Sequence, residues 1–221
     1  MTPSPLGALI VHIDYTGVPV DEWSEWYETD HIPQRMALDG FLTGSWWRAL
    51  DGSTRSLGLY DLDGIARLSE PAYQAIVGDG ATAWTKRLHR LRDAPARPSL
   101  RYECVQLYPG REVSPTSEYL MLFAVRVDPA AEPEFHAWYD EEHLPLLRAV
   151  PGVVCGRRFR VVNADERLHE YVAVYHLADP EIRRTQAWRA ALRTERTQAL
   201  VPCLRDPRYD FFARPELVTV R

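Results

Sequence analysis

Apolar and polar residues follow the same pattern twice along this 221-residue chain. In the first half, short apolar runs bounded by turn residues predict four strands, at 8–14, 41–50, 55–62 and 101–108. Two other segments, 21–31 and 70–91, carry apolar residues at the spacing of an amphipathic helix. The first half therefore reads as strand, helix, strand, strand, helix, strand.

The second half repeats this order. Its predicted strands are 119–127, 153–162, 169–177 and 208–213, and its predicted helices are 132–143 and 180–199. Such an order is typical of the ferredoxin-like plan, in which two helices cover one face of a four-stranded antiparallel sheet. The uncovered face of each sheet needs a partner. We therefore predict an α+β fold of two tandem ferredoxin-like βαββαβ units whose antiparallel sheets pack into an α/β barrel.

A repeated segment shows that the two halves are copies. Residues 26–40 align with residues 138–152, and six of these fifteen positions are identical, where chance gives about one. The boundaries predicted from this repeat are a first unit at 1–108, a linker at 109–117 and a second unit at 118–221. Each unit is large enough to form its own core.

Composition narrows the possible partners. The formal net charge is −5 and the basic residues form no block, so no nucleic-acid footprint is expected. Seven Trp and eleven Tyr favour a pocket for a flat, largely apolar or aromatic molecule. The cysteines, Cys104, Cys155 and Cys203, are widely spaced, as in reduced intracellular proteins. The apolar run 6–11 is too short for a signal peptide or membrane span, so we expect a cytoplasmic protein without membrane contact.

Each copy of the repeat carries a tyrosine four residues before a histidine, Tyr27 with His31 and Tyr139 with His143. Residues at this spacing share one face of a helix, and each histidine lies near the predicted helix end. An imidazole that titrates near neutrality, beside a phenol, suits general acid–base catalysis. The same residues also suit a structural role, in which histidine caps the helix and tyrosine packs against it.

The neighbouring residues of the motif have their own candidate roles. Asp30 and Glu142 are candidates for orienting the two imidazoles. Trp26 and Trp138 recur at equivalent positions and are interpreted as core residues. Gly40 and Gly152 suit the left-handed backbone conformation that ends a helix.

A second set of polar and aromatic residues lies on the predicted strands. If the space between the sheets binds substrate, the candidate substrate-binding residues are His12, Trp47, Arg126, Arg158 and Tyr171. A solvated strand end explains His12 and Arg126 equally well. Further ambiguous pocket candidates are Trp46, Tyr60, Phe159, His169, Tyr175 and His176.

Several chemistries find no support in the sequence. It contains no glycine-rich phosphate loop, GxSxG elbow or HExxH motif. No spacing of His, Cys or acidic residues is diagnostic of a metal site. We therefore predict no metal and no cofactor.

The segment Trp138-Tyr139-Asp140-Glu141-Glu142-His143-Leu144-Pro145, followed by Ala149-Val150-Pro151-Gly152, resembles the signature of EthD-like proteins in the dimeric α/β-barrel superfamily. The first copy departs from it in the acidic run and has Leu38-Asp39-Gly40 in place of Val150-Pro151-Gly152. The resemblance covers both halves. It implies the barrel fold and a superfamily of cyclases, dehydratases, decarboxylases, isomerases, cofactor-free monooxygenases and haem enzymes.

The leading functional prediction is a cofactor-independent lyase, cyclase or isomerase that acts on a small aromatic or polyketide-like substrate. His31 or His143 is the expected base, and Tyr27 or Tyr139 the expected donor to a developing oxyanion. The first alternative is a cofactor-free or haem-dependent monooxygenase on the same scaffold. The second is a non-catalytic small-molecule-binding protein. Either a monomer with an internal pseudo-dimer or a homodimer is compatible with the sequence.

Overall fold

The computed structural model describes residues 4–218, and within this range eight strands form one closed antiparallel barrel. Around the barrel the strands follow the order β1-β3-β2-β8-β5-β7-β6-β4. Their bounds are β1 Gly7–Asp14, β2 Phe41–Ala49, β3 Arg55–Leu62, β4 Leu100–Tyr108, β5 Tyr119–Val127, β6 Val153–Val161, β7 Tyr171–Leu177 and β8 Leu204–Ala213. The predicted fold class is confirmed.

Two seams join the halves into one barrel. At the first seam β2 pairs with β8 through Arg48 opposite Ala213 and Ala49 opposite Phe212. At the second seam β4 pairs with β6, with a register irregularity after Gln106. The two seams close the barrel within a single chain, the first through two residue pairs and the second through four.

The barrel interior is a packed apolar core. Alternation along the strands points one set of side chains inward. Buried residues of this inner cluster include Ile10, Trp47, Leu57, Leu59, Tyr102, Leu120, Leu122, Phe159, Val172, Val174 and Phe212. The expectation of a substrate space between the two sheets is therefore not met in the centre of the barrel, since large side chains from both halves interdigitate there.

Eight α-helical segments cover the outside of the barrel within residues 4–218. Their bounds are α1 Val20–Trp26, α2 Ile32–Met36, α3 Pro71–Gln74, α4 Ala83–Leu91, α5 Glu132–Trp138, α6 Leu144–Arg148, α7 Gln186–Ala191 and α8 Glu195–Leu200. No helix in this part of the chain is long and apolar enough to cross a membrane.

The sequence predicted first helices at 21–31 and 132–143, each of which stops before a proline. In the structure the helical backbone instead continues past that proline in both halves. A π-helical turn, Tyr27–His31, joins α1 to α2, and a second one, Tyr139–His143, joins α5 to α6. Proline occupies the start of the helix that follows each π turn. Proline lacks an N–H and has a helical φ, so it fits this position.

The second helix of each half is broken, where the sequence predicted one continuous helix. In the first half the segment Gly78–Gly80 interrupts it, because glycine is a poor helix former. Thr82 then caps α4 by accepting a hydrogen bond from the backbone N–H of Thr85. In the second half Thr185 and Thr194 cap α7 and α8 in the same way. Each threonine hydroxyl satisfies a helix N–H and so begins a new helix.

Candidate functional site

The π turns set the position of the tyrosine and histidine in each repeat. The backbone N–H of Ile32 bonds to the carbonyl of Tyr27, and that of Leu144 bonds to the carbonyl of Tyr139. These are i to i+5 bonds, and such wide turns are frequently found at functional sites. The two histidines face the helix-covered outer side of the sheet, away from the barrel interior.

Hydrogen bonds from the second helix hold the first π turn in place. The indole N–H of Trp26 donates to Thr85 Oγ1 at 2.9 Å. The hydroxyl of Thr82, which caps α4, donates to Asp30 Oδ2 at 2.9 Å, and Gln34 Nε2 donates to Asp30 Oδ1 at 2.6 Å. Trp26 and Asp30 therefore fix the π turn against the start of α4.

The second half repeats this arrangement at positions 112 residues later. Trp138 Nε1 donates to Thr197 Oγ1 at 3.1 Å, and the Thr194 hydroxyl donates to Glu142. Asp30 and Glu142 were expected to orient the histidines. Their carboxylates instead accept hydrogen bonds from the threonine caps, and neither is bonded to an imidazole. The repeated acid and tryptophan thus have a structural explanation.

Each imidazole of the repeat packs on its tryptophan and is held uncharged. The ring centroids of His31 and Trp26 are 4.1 Å apart, as are those of His143 and Trp138. Burial lowers the pKa of His143 to about 3 and that of His31 well below its usual value. Among the described residues, no group hydrogen-bonds the buried Nδ1 of either ring. Both histidines are therefore neutral imidazoles at physiological pH.

The His31 pocket lies between the sheet and the helices of the first half. This cavity has a volume of about 510 Å³, and its lining includes Tyr27, His31, Arg35, Tyr60 and Tyr73. Tyr27 stacks on Trp46, a residue that does not line the cavity. Their rings are nearly parallel, with centroids 5.0 Å apart. The structure thus brings together the predicted Tyr27 and His31 and adds two further phenols.

The His143 pocket is the equivalent space of the second half. It has a volume of about 320 Å³, and aromatic residues such as Trp138, Tyr175 and Phe211 line it with His143. Tyr139 does not line this pocket. Its ring packs under the guanidinium of Arg158, whose central carbon lies 5.1 Å from the ring centroid. The predicted pairing of His143 with Tyr139 across one substrate is therefore not observed.

Tyr60 and Tyr175 are the phenols that occur in both pockets. They occupy equivalent strand positions, because Tyr60 pairs with Gly44 and Tyr175 pairs with Gly156. Both hydroxyls are buried and, within residues 4–218, have no hydrogen-bond partner. Burial raises the pKa of both phenols well above its usual value. Each pocket therefore holds a protonated, unused hydrogen-bond donor, which sequence reasoning had left among the ambiguous candidates.

His12 lies at one mouth of the barrel, remote from the duplicated motif. It lines a cavity of about 400 Å³ with Tyr102, Arg55 and Asp210. Burial lowers the pKa of His12 to about 4, partly offset by the charge of Asp210. His12 thus lies on neither histidine pocket.

Trp47 and Arg126, two further predicted binding residues, have structural contacts. Trp47 is fully buried in the barrel core, where its indole N–H donates to Ser45 at 3.0 Å. Arg126 forms an ion pair with Glu170 at 3.0 Å and donates to the carbonyls of residues 165 and 166. Neither side chain lines either histidine pocket.

Arg158 and Tyr171, the last two predicted binding residues, belong to a polar network under α5. Arg158 donates to Asp140 at 2.8 Å and to His136 Nδ1 at 2.8 Å. The hydroxyl of Tyr171 contacts His136 Nε2 at 3.2 Å and donates to Glu132. These hydrogen bonds connect α5 and the π turn after it to strands β6 and β7.

The donor atoms of the described residues do not fit a metal centre. Within residues 4–218, no group of three or more His, Cys, Asp or Glu side chains is close enough to hold an ion. A single metal-ligating histidine usually bonds its second ring nitrogen to a carboxylate or a carbonyl. The buried Nδ1 of His31 and that of His143 have no such partner among the described residues.

Comparison with solved structures shows which proteins share the architecture. A candidate monooxygenase of Fusobacterium nucleatum matches with a TM-score of 0.63 at 9% identity, over 96% of this chain and 93% of that chain. An anthrone oxidase-like protein matches with a TM-score of 0.62 at 14% identity, over 96% and 92%. A chlorite dismutase variant from Candidatus Nitrospira defluvii matches with a TM-score of 0.56 at 10% identity, over 96% and 92%.

The fold is that of the dimeric α/β barrels. At these identities the likeness establishes the architecture of this chain alone. No protein-family model matches the sequence. The comparison with curated proteins also finds no match.

The comparisons correct the leading functional prediction. The sequence favoured a lyase, cyclase or isomerase, with oxygen chemistry as the alternative. The three proteins reported above share the fold over nearly their whole length and are described as a candidate monooxygenase, as oxidase-like and as a chlorite dismutase, not by the predicted activities. The prediction of a lyase, cyclase or isomerase is therefore wrong.

Proposed function

We propose that this protein is a cofactor-independent oxygenase that oxidises an acidic carbon of an aromatic or polyketide-like substrate in the histidine pockets. The observation that carries the proposal is the repeated pairing of a buried, neutral imidazole with an unused phenol donor, His31 with Tyr60 and His143 with Tyr175. A neutral imidazole accepts a proton and a phenol stabilises the resulting oxyanion. An anthrone represents the substrate class, because its methylene lies across the central ring from the ketone and is conjugated with it through the flanking arenes.

The oxidation needs no external reductant. The imidazole of His31 or His143 removes a proton from the methylene, and the charge moves onto the ketone oxygen, where the Tyr60 or Tyr175 hydroxyl donates a hydrogen bond. This electron-rich anion transfers an electron to O2, and the two radicals combine as a peroxide on the substrate carbon. Loss of the second proton breaks the O–O bond. The sum is CH2 + O2 → C=O + H2O, and both oxygen atoms are accounted for.

The enclosed, aromatic position of each imidazole supports its role as the base. Burial lowers the pKa of His143 to about 3, so the ring is uncharged throughout the neutral range but is a weak base in the free protein. A developing enolate beside the ring then supplies the counter-charge that an imidazolium needs in an apolar site. Exclusion of water also protects the radical pair from side reactions.

Haem-dependent oxidation, the other monooxygenase alternative, is less well supported by the residues present. An axial histidine would be expected to hold its second nitrogen in a hydrogen bond. In both pockets the buried Nδ1 lacks that bond among the described residues. We therefore derive no step through haem.

Oxygen uptake with anthrone tests the proposal. The purified protein, in buffer with a metal chelator and without added haem, is expected to consume one O2 for each anthraquinone formed, well above spontaneous oxidation. The control is the same protein after heat denaturation. A rate no higher than that of the buffer would contradict the proposal, and so would a rate that appears only with added haem, together with a Soret band.

The remaining features of the proposal concern family, assembly and location. We also propose that the chain is an EthD-like protein, on its helix-borne motif in residues 138–145. The closed barrel within one chain supports a monomer with an internal pseudo-dimer. We propose that the protein binds a small aromatic substrate and that neither nucleic acid nor a membrane is its partner. We also propose that it is located in the cytoplasm.

A further inference from the structure

We propose that the His31 pocket selects an anionic aromatic ligand, such as an arene carboxylate, with Arg35 as its anchor, whereas the His143 pocket takes a neutral one. This inference rests on the proposed function for the chemistry that follows binding, and it names the substrate class of the first site. The two pockets of the duplicated chain thereby differ in specificity.

Arg35 is a buried cation that lacks an anionic partner. Its side chain lines the His31 pocket, and the residue is only 7% exposed. Its Nη1 donates to the backbone carbonyl of His31 at 3.0 Å, and its guanidinium lies over the Tyr60 ring at 5.9 Å. Among residues 4–218, no carboxylate forms an ion pair with it. A buried charge is costly unless it is paired, so a ligand anion would complete the site.

The rest of the His31 pocket is also cationic. Lys86, Arg90 and Arg101 line it, whereas Asp79 is the single acidic residue of the described lining. Lys86 Nζ donates to the backbone carbonyl of Asp79. Within the described part of the chain, Lys86 forms no ion pair. Arg101 is neutralised, because it pairs with Glu103 at 2.9 Å. The excess positive charge therefore resides on Arg35, Lys86 and Arg90, and it attracts an anion.

The second half lacks the cations Arg35, Lys86 and Arg90 at the equivalent positions. Counting 112 residues onward, the counterparts of Arg35, Lys86, His89 and Arg90 are Leu147, Gln198, Val201 and Pro202. Leu147 and Val201 line the His143 pocket. Its one arginine, Arg183, is exposed and lies over the Phe211 ring at 4.6 Å. The two pockets thus keep the same histidine and phenol but differ in charge.

The geometry favours a planar acid. A guanidinium binds a carboxylate through two parallel hydrogen bonds, and the surrounding Tyr60 and Tyr73 rings offer flat apolar surface to an arene. A carboxamide of the same shape has no charge to pair with Arg35. We therefore expect the wild-type first pocket to bind the carboxylate at least tenfold more tightly than the amide.

The test is isothermal titration with 2-naphthoate and 2-naphthamide, which differ in charge but hardly in shape. In Arg35→Leu, which copies Leu147, the preference for 2-naphthoate is expected to disappear while 2-naphthamide affinity stays within about twofold. Lys86→Gln is expected to weaken 2-naphthoate binding by about two- to threefold. The matched control, Arg183→Leu in the second pocket, keeps the wild-type preference.

Two outcomes would overturn the inference: wild-type protein without a preference for 2-naphthoate, or Arg35→Leu with the preference intact. If Arg35→Leu does not fold, Arg35→Gln is read in the same way, because it retains a donor for the His31 carbonyl. Titration requires no turnover. If the protein prefers 2-naphthoate but shows no oxygen uptake, only the proposed function is refuted. If it shows oxygen uptake but no preference for 2-naphthoate, only the anion site is refuted.

Discussion

Replacing His31 and His143 together with glutamine is expected to lower oxygen-dependent turnover of anthrone by about 10²- to 10⁴-fold, the usual contribution of a general base. Glutamine retains hydrogen-bonding capacity but does not accept the substrate proton. Each single variant should abolish only the part of the turnover that takes place in its own pocket. The measurement is the initial rate of oxygen consumption at saturating substrate, with thermal unfolding to verify the fold.

His176→Gln is the matched control for this variant. Burial lowers the pKa of His176 to about 3, as for His143, but His176 is bonded to Ser117 and lies outside both pockets. It is expected to lose stability while keeping its turnover number. Full activity in the double variant, or an equal loss of turnover in His176→Gln, would exclude the assignment of the base.

The pH profile gives the same assignment an independent readout. Burial lowers the folded-state pKa of His143 to about 3 and that of His31 well below its usual value, so neither ring is expected to titrate near pH 6.5. The ratio kcat/KM reports ionisations of the free enzyme. It is therefore expected to show no decline centred near pH 6.5 as the pH falls from 8 to 5. An acidic limb with that midpoint would identify an ordinary, solvent-exposed histidine as the base instead.

Replacing Tyr60 and Tyr175 together with phenylalanine is expected to lower turnover by about 10²- to 10³-fold, as for loss of an oxyanion donor. Stability should behave differently. Because the two hydroxyls are buried and lack a partner among residues 4–218, their removal should leave the free energy of unfolding unchanged or raise it by about 1 kcal/mol. Oxygen uptake and chemical denaturation measure the two effects.

The control is Tyr102→Phe at the barrel mouth. The hydroxyl of Tyr102 contacts His169 Nδ1 at 3.3 Å, so its removal leaves a buried polar group unpaired. This variant is expected to lose about 1 kcal/mol of stability and to keep its turnover. If Tyr60→Phe with Tyr175→Phe behaves like Tyr102→Phe, the two phenols are structural.

Much of the fold follows from the sequence because its signals are local and doubled. The short apolar run of a strand such as β5, and the repeat at residues 26–40 and 138–152, together predict two sheets that must cover each other. The ends of the helices were harder to predict from the sequence. The first helix was predicted at 21–31, and only the three-dimensional path shows that a π turn carries the helical backbone on past Pro33.

The site was less predictable because it depends on which face each residue occupies. The substrate space expected between the sheets is not found, because the inward-facing residues of both halves fill the barrel interior themselves. Arg35 was missed as well. The sequence shows that Leu147 stands at the equivalent position of the other copy. This difference indicates a difference in pocket charge only once the structure shows that both residues line pockets.

The most direct test is a crystal structure of the protein with anthraquinone, the stable product of the proposed reaction. The account predicts that the ligand lies between the sheet and the helices, with a ketone oxygen within hydrogen-bond distance of the Tyr60 or Tyr175 hydroxyl and a ring beside His31 or His143. Anthraquinone bound only at the barrel mouth beside His12, or within the barrel, would contradict it.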